Sequence, residues 1–328
     1  MQSCLNSIYP GCQWMSSFTS SSGTSPQTTS SLNVRVSTPG FSVSSALMDL
    51  ITLIPRAIYS TSRTLLVLPL FGLASLFHTS SFSDPKKITN KKIPIILIHG
   101  SGSNQRQWEI FRRFLGSEKC GHIFSFNLNE RAFVNDSKTI EEYAKSRLVP
   151  KIESLKKRYL EEAHLNLNEV ILVGHSMGGM VAGEYAVNHG SEVAVKAIVS
   201  LNTPWKGSWL ADLIYHPSDK PGGSFTTSNQ SSQMLREKLI QRERKGSLKL
   251  FTVSSTLDPI VRPSSSSLDL HPENQIVSTV QDHYSAMIDP WLTRRIREKW
   301  IIPISSGNLP SVSLRQQLIH SIQIFLNL

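Results

Sequence analysis

From Ile93 onward, short continuous apolar runs alternate with longer stretches whose apolar residues recur every three to four positions. Runs of four to eight β-branched and aromatic residues bounded by polar turns predict strands, and the longer period predicts helices. The strands expected from this pattern are Ile93–His99, His122–Leu128, Glu169–Val173, Val195–Leu201, Leu248–Ser254 and Gln275–Val280. Helices are expected around Gln107–Leu115, Thr139–Glu162 and Met177–Asn188, the second bent by Pro150, which has no N–H to donate. Strands that are apolar throughout and alternate with helices predict an α/β fold. Its sheet should be mostly parallel, of about six strands, and flanked by helices. There is no internal repeat.

The residues before this region behave differently. Residues 1–45 hold 14 Ser and 5 Thr, no acid and a single base, Arg35. Such a segment lacks the apolar content to offset its ordering entropy and is expected to be a disordered tail. A targeting segment and a plain flexible tail are both consistent with it. A Sec-type signal is not, because no charged region followed by an apolar one begins the chain. Residues 46–85 turn apolar, with an unbroken stretch from Leu65 to Phe77 that is short of the roughly 20 residues that span a bilayer. Packed helices, an interfacial anchor and a true span all remain open for it. The third region, 93–328, is the expected catalytic domain, with an insertion at about 205–247.

Composition adds little to this division. The 34 Lys+Arg against 24 Asp+Glu give a formal net charge of +10, which favours an anionic partner or surface without saying which. A membrane surface stays open as a partner. Nucleic acid is not expected, because no recognition motif accompanies the charge. The three cysteines, Cys4, Cys12 and Cys120, have neither metal-ligand spacing nor a disulfide pattern. No cofactor and no metal are expected, and oligomeric state and compartment stay undetermined.

The segment carrying chemistry is EVILVGHSMGGMVAG, residues 169–183. An apolar strand runs into Gly174-His175-Ser176-Met177-Gly178, and small apolar residues follow at helical spacing. A serine on a tight strand-to-helix turn is lifted above the sheet edge, and glycines two residues either side remove the clash that side chains there would make. The helix behind it aims free N–H groups and the positive end of its dipole at an oxyanion. Ser176 is therefore the expected nucleophile.

A serine nucleophile needs a base and an acid, and in this arrangement they follow it in the order acid, then histidine. Asp258 comes just past the strand LKLFTVSS and is the leading acid, ahead of Asp269 and Asp282. His283 follows the strand NQIVSTV and is the leading base, ahead of His271 and His320. His175 adjoins the serine, but the turn points its ring elsewhere. The oxyanion donors are expected to be the backbone N–H groups of Met177 and of Ser101, the latter placed by the fold-back at Gly100.

These residues resemble the α/β-hydrolase superfamily, and within it lipases and esterases most closely. The resemblance runs from about Ile93 to Trp300, over LIHGSGSNQRQW, LVGHSMGG, SLNTPWKGS, SSTLDPIV and QDHYSAMIDP. It implies hydrolysis of carboxylic esters, lipid-like ones being favoured, through an acyl-enzyme on Ser176. The same triad also fits an acyltransferase, and a membrane-bound interaction protein that keeps a hydrolase fold is a third reading. In the gap expected to hold a lid, Trp205 and Trp209 head an apolar cluster. That cluster either grips substrate or forms the core face of a helix. The basic stretch REKLIQRERK suits an interfacial helix or an ordinary solvated face.

Overall fold

A computed structural model of the chain describes Pro85 and residues 87–128, 138–220 and 222–307. The Ser/Thr-rich tail 1–45, the apolar segment 46–77 and the C-terminal stretch with His320 lie outside the described residues. Six strands form one parallel sheet: β1 Ile95–Ile98, β2 Ile123–Phe126, β3 Glu169–His175, β4 Ala194–Leu201, β5 Lys249–Ser255 and β6 Gln275–Ser278, in the order β2-β1-β3-β4-β5-β6. All six expected strands are present, with ends moved by at most two residues.

The continuous apolar runs have a direct cause. Every residue of β1 and β2 is buried, because helices cover both sheet faces. Alternate side chains then feed two separate cores. Ile96, Ile98, Leu172 and Ile198 enter one; Ile95, Leu97, Ile171, Val173, Ala197 and Val199 enter the other. At the open edge of β6 this breaks down, and Val277 is 55% exposed.

Six helices bear on the site: α1 Glu109–Leu115, α2 Val149–Ala163, α3 Met177–Glu184, α4 Trp209–Ile214, α5 Gln230–Arg244 and α6 Pro290–Ile296. The bend expected at Pro150 is resolved by a π turn, Ala144–Leu148, which separates the capped turn Ile140–Tyr143 from α2. A widened turn accommodates the missing proline N–H without breaking the rod. A second π turn, Tyr185–His189, follows α3. No helix among the described residues is long and apolar enough to cross a membrane.

Strand order decides where a ligand can sit. The chain runs from β1 outward to β2 and then returns to the other side of β1 for β3, so the direction of winding reverses between β1 and β3. In open parallel sheets the crevice outside the carboxyl ends of the strands at such a reversal is the binding position. Ser176 closes β3 and the Gly100–Ser101 turn closes β1.

Candidate active site

Ser176 has φ 52° and ψ −123°, a region that side-chain-bearing residues avoid. Its N–H donates to the Leu201 carbonyl at 2.9 Å, and its carbonyl accepts from the Gly179 N–H at 3.0 Å, so β4 and α3 hold the turn from both sides. The flanking glycines are needed for close approach. A Cβ on Gly174 would collide with the backbone nitrogen of Gly179, and one on Gly178 with the Ile98 carbonyl. Every residue of α3 is buried behind this turn, and Met177, where α3 begins, is 1% exposed.

His283 and Asp258 meet as expected. The His283 Nδ1–H donates to Asp258 Oδ2 at 2.7 Å, and the other carboxylate oxygen accepts from the Ile260 and Val261 N–H groups, both at 2.8 Å. The rival acids are engaged elsewhere. Asp282 Oδ1 accepts from the N–H groups of Tyr284 and Ser285 within its own loop, and Asp269 bridges to Lys206 at the surface. The rival base His271 caps the turn Pro272–Asn274.

Sequence reasoning missed a clamp on the base-bearing loop. Asn202, buried and at φ 48°, donates through Nδ2 to the carbonyls of Asp282 and His283, both at 3.1 Å. The His175 Nε2–H donates to the same His283 carbonyl at 2.8 Å, and the two imidazole rings lie 4.8 Å apart. Burial, then the neighbouring His283, hold the His175 pKa well below its usual range, so it serves this bond as a neutral ring. The one available signal was Asn202 itself, since asparagine is among the few non-glycine residues that tolerate positive φ.

A second neutral histidine fixes the loop after β1. His99 Nδ1–H donates to the Gly100 carbonyl at 2.8 Å, while Nε2 accepts the Leu128 N–H at 2.8 Å. Burial lowers its pKa from 6.5 to about 4. A histidine whose folded pKa is depressed binds its proton more readily in the unfolded chain. The stability it confers is therefore complete above pH 6.5 and is lost as pH falls from 6.5 toward 4. The shift corresponds to about 3 kcal/mol when fully expressed. Chemical denaturation at pH 7 and pH 4.5 is expected to show a loss in the wild type and a smaller one in His99→Asn, the remainder coming from groups such as His175, whose pKa burial also lowers. An unchanged pH slope in the variant would refute the assignment.

Ser101, Ser176 and His283 line one cavity of about 220 Å³. Leu210 and Ile214 of α4, Tyr215 just after it, Phe225, and Ile260 and Val261 after the acid make up much of the remaining wall. The insertion between β4 and β5 thus contributes α4 and the turn Gly222–Phe225 to the cavity. Its basic helix α5 instead buries Leu235 and Leu239 in the core, which takes up the apolar side of REKLIQRERK. Trp205, expected to grip substrate, is core. It is 2% exposed, its Nε1–H donates to Ser200 Oγ at 3.0 Å, and it packs beneath Gly183 of α3. Trp209 is 44% exposed and braces α4 against the acid-bearing loop by donating from Nε1 to the Pro259 carbonyl at 3.0 Å. Neither tryptophan lines the cavity.

A parallel sheet with a strained serine at its switch point and an Asp-His pair following in chain order is the arrangement of the α/β-hydrolase fold. The family described as the PGAP1-like alpha/beta domain matches residues 89–215. Abhydrolase domain-containing protein abhd-5.2 of Caenorhabditis elegans is 29% identical over 119 residues, which are 35% of this chain and 24% of that protein. The chain thus spans about a quarter of the length of this curated relative. Among solved structures, the Bacillus licheniformis lipase BlEst2 in its mature form is 19% identical. It covers 66% of this chain and 96% of its own at a TM-score of 0.50, a likeness of fold.

Proposed function

We propose that the protein is a serine hydrolase of carboxylic esters with apolar acyl groups, working through an acyl-enzyme on Ser176. The observation that carries this reading is a strained serine opening onto the same cavity as a histidine whose far nitrogen is held by a buried carboxylate. In this scheme His283 takes the Ser176 proton as Oγ adds to the ester carbonyl. The N–H groups of Met177 and Ser101 hold the oxyanion, and Asp258 stabilises the imidazolium. His283 then returns the proton to the leaving alcohol, and a water activated by the same histidine releases the acid.

The apolar preference is supported by the cavity wall. Among the described residues, no Asp, Glu, Lys or Arg side chain lines it, so a charged acyl chain would be desolvated there without a partner. Lipid-like esters fit that wall, and the lipase and esterase resemblance points the same way.

Two measurements test the proposal. A fluorophosphonate probe is expected to label the wild type on Ser176 and to leave Ser176→Ala unlabelled. A series of nitrophenyl esters is expected to show turnover rising from acetate to medium chains and falling once the chain outgrows about 220 Å³. Labelling that persists in Ser176→Ala would overturn the nucleophile, and a flat series would overturn the apolar acyl site.

A further inference from the structure

Gln107 is a buried amide with nothing to bond. It lies in the 3-10 turn Gln105–Trp108 that follows β1, is 2% exposed, and neither its Oε1 nor its Nε2 has a hydrogen-bond partner. The same residue is among those that line the cavity that holds Ser176. Buried polar groups are almost always paired, and one left open in the wall of a site is a place where a ligand completes the bonding.

Strand order separates this polar wall from the apolar one. Ser101, Ser103 and Gln107 all come from the segment after β1, on one side of β3. Leu210, Ile214, Phe225, Ile260 and Val261 follow β4 and β5, on the other side. Ser176, at the end of β3, stands between them. An ester likewise extends two arms from its carbonyl, and the apolar wall suits the acyl arm.

We infer that Gln107 binds a free hydroxyl on the alcohol arm of the substrate, so that the preferred substrates are esters of a polyol rather than of a simple alkyl alcohol. This rests on the ester-hydrolase reading of Ser176 and narrows it. A hydroxyl donates and accepts, as a primary amide does, and one such group can meet both orphaned atoms. A carboxylate or phosphate would offer the Oε1 no donor, and an ammonium would offer the Nε2 no acceptor. Ser101 and Ser103 add hydroxyls to the same wall.

The test compares glycerol 1-monobutyrate with its 2,3-di-O-methyl ether, which keeps the ester and the glycerol skeleton but has no hydroxyl. Wild-type kcat/KM is expected to favour the free diol by about tenfold or more, since a site built to bond a hydroxyl discriminates against an analogue lacking it. In Gln107→Met the ratio is expected to collapse to about one, and in Gln107→Glu, which keeps an acceptor and loses the donors, to fall in between. Because the ratio is taken within each variant, partial unfolding does not affect it. Equal rates on the two esters in the wild type, or a ratio that survives in Gln107→Met, would overturn the inference and leave the hydrolase reading standing. Absence of turnover on both these esters and the nitrophenyl series would remove both.

Discussion

Ser176→Ala is expected to lower ester turnover about a million-fold, to the background left by the oxyanion donors and substrate binding alone. The loss should fall on kcat, because the cavity walls that hold the acyl group are untouched. The backbone at this residue makes a second, separable outcome available. Ser176 sits at φ 52° and ψ −123°, and alanine keeps the Cβ that makes that conformation costly. Ser176→Ala should therefore melt at the wild-type temperature. Ser176→Gly removes the Cβ and relieves strain of about 1–3 kcal/mol, less the extra entropy that glycine loses on folding. A net gain of about 1 kcal/mol would raise the melting temperature by roughly 2–4 °C in a protein of this size. An inactive glycine variant that is more stable than wild type would show a serine held under strain for its chemistry. Appreciable turnover by Ser176→Ala would exclude it as the nucleophile.

The sheet was legible in the sequence because its strands are buried on both faces, which forces unbroken apolar runs that no amphipathic helix would show. Errors fall where that pressure is absent. The run at Ile93 begins two residues before β1, and the run ending at Val280 overshoots β6, whose open edge leaves Val277 exposed. The site divided in the same way. Ser176, Asp258 and His283 could be found because each stands just past a strand end, in an order the fold imposes. Trp205 could not be placed, since an indole after a strand can turn toward the cavity or back onto the sheet. Its choice depends on Ser200, a residue in the preceding strand. Gln107 left no trace at all. An amide without a partner is a property of surroundings drawn from several loops, and nothing in QRQW records it.

Asp258→Asn is expected to lower kcat by about ten-thousand-fold while changing KM little, and the reason lies in which oxygen does what. Oδ1 accepts from two backbone N–H groups, those of Ile260 and Val261, and Oδ2 faces the His283 ring. An asparagine must keep its single carbonyl oxygen on the two backbone donors, so its NH₂ group turns toward His283 Nδ1. That nitrogen must then become the acceptor, and the ring proton moves to Nε2. A ring protonated on Nε2 cannot take the Ser176 proton, although every atom is near its original place. Asp258→Ala leaves Nδ1 without a fixed donor or acceptor and permits either tautomer. It is therefore expected to retain more activity than the closer isostere. Activity in Asp258→Asn should return at high pH, where a hydroxide ion or deprotonated serine needs no base, and should show no plateau set by a histidine. Steady-state rates on nitrophenyl butyrate from pH 5 to 10 for wild type and both variants would decide it. Activity of Asp258→Asn within tenfold of wild type at neutral pH would mean that Asp258 does not set the tautomer of the base.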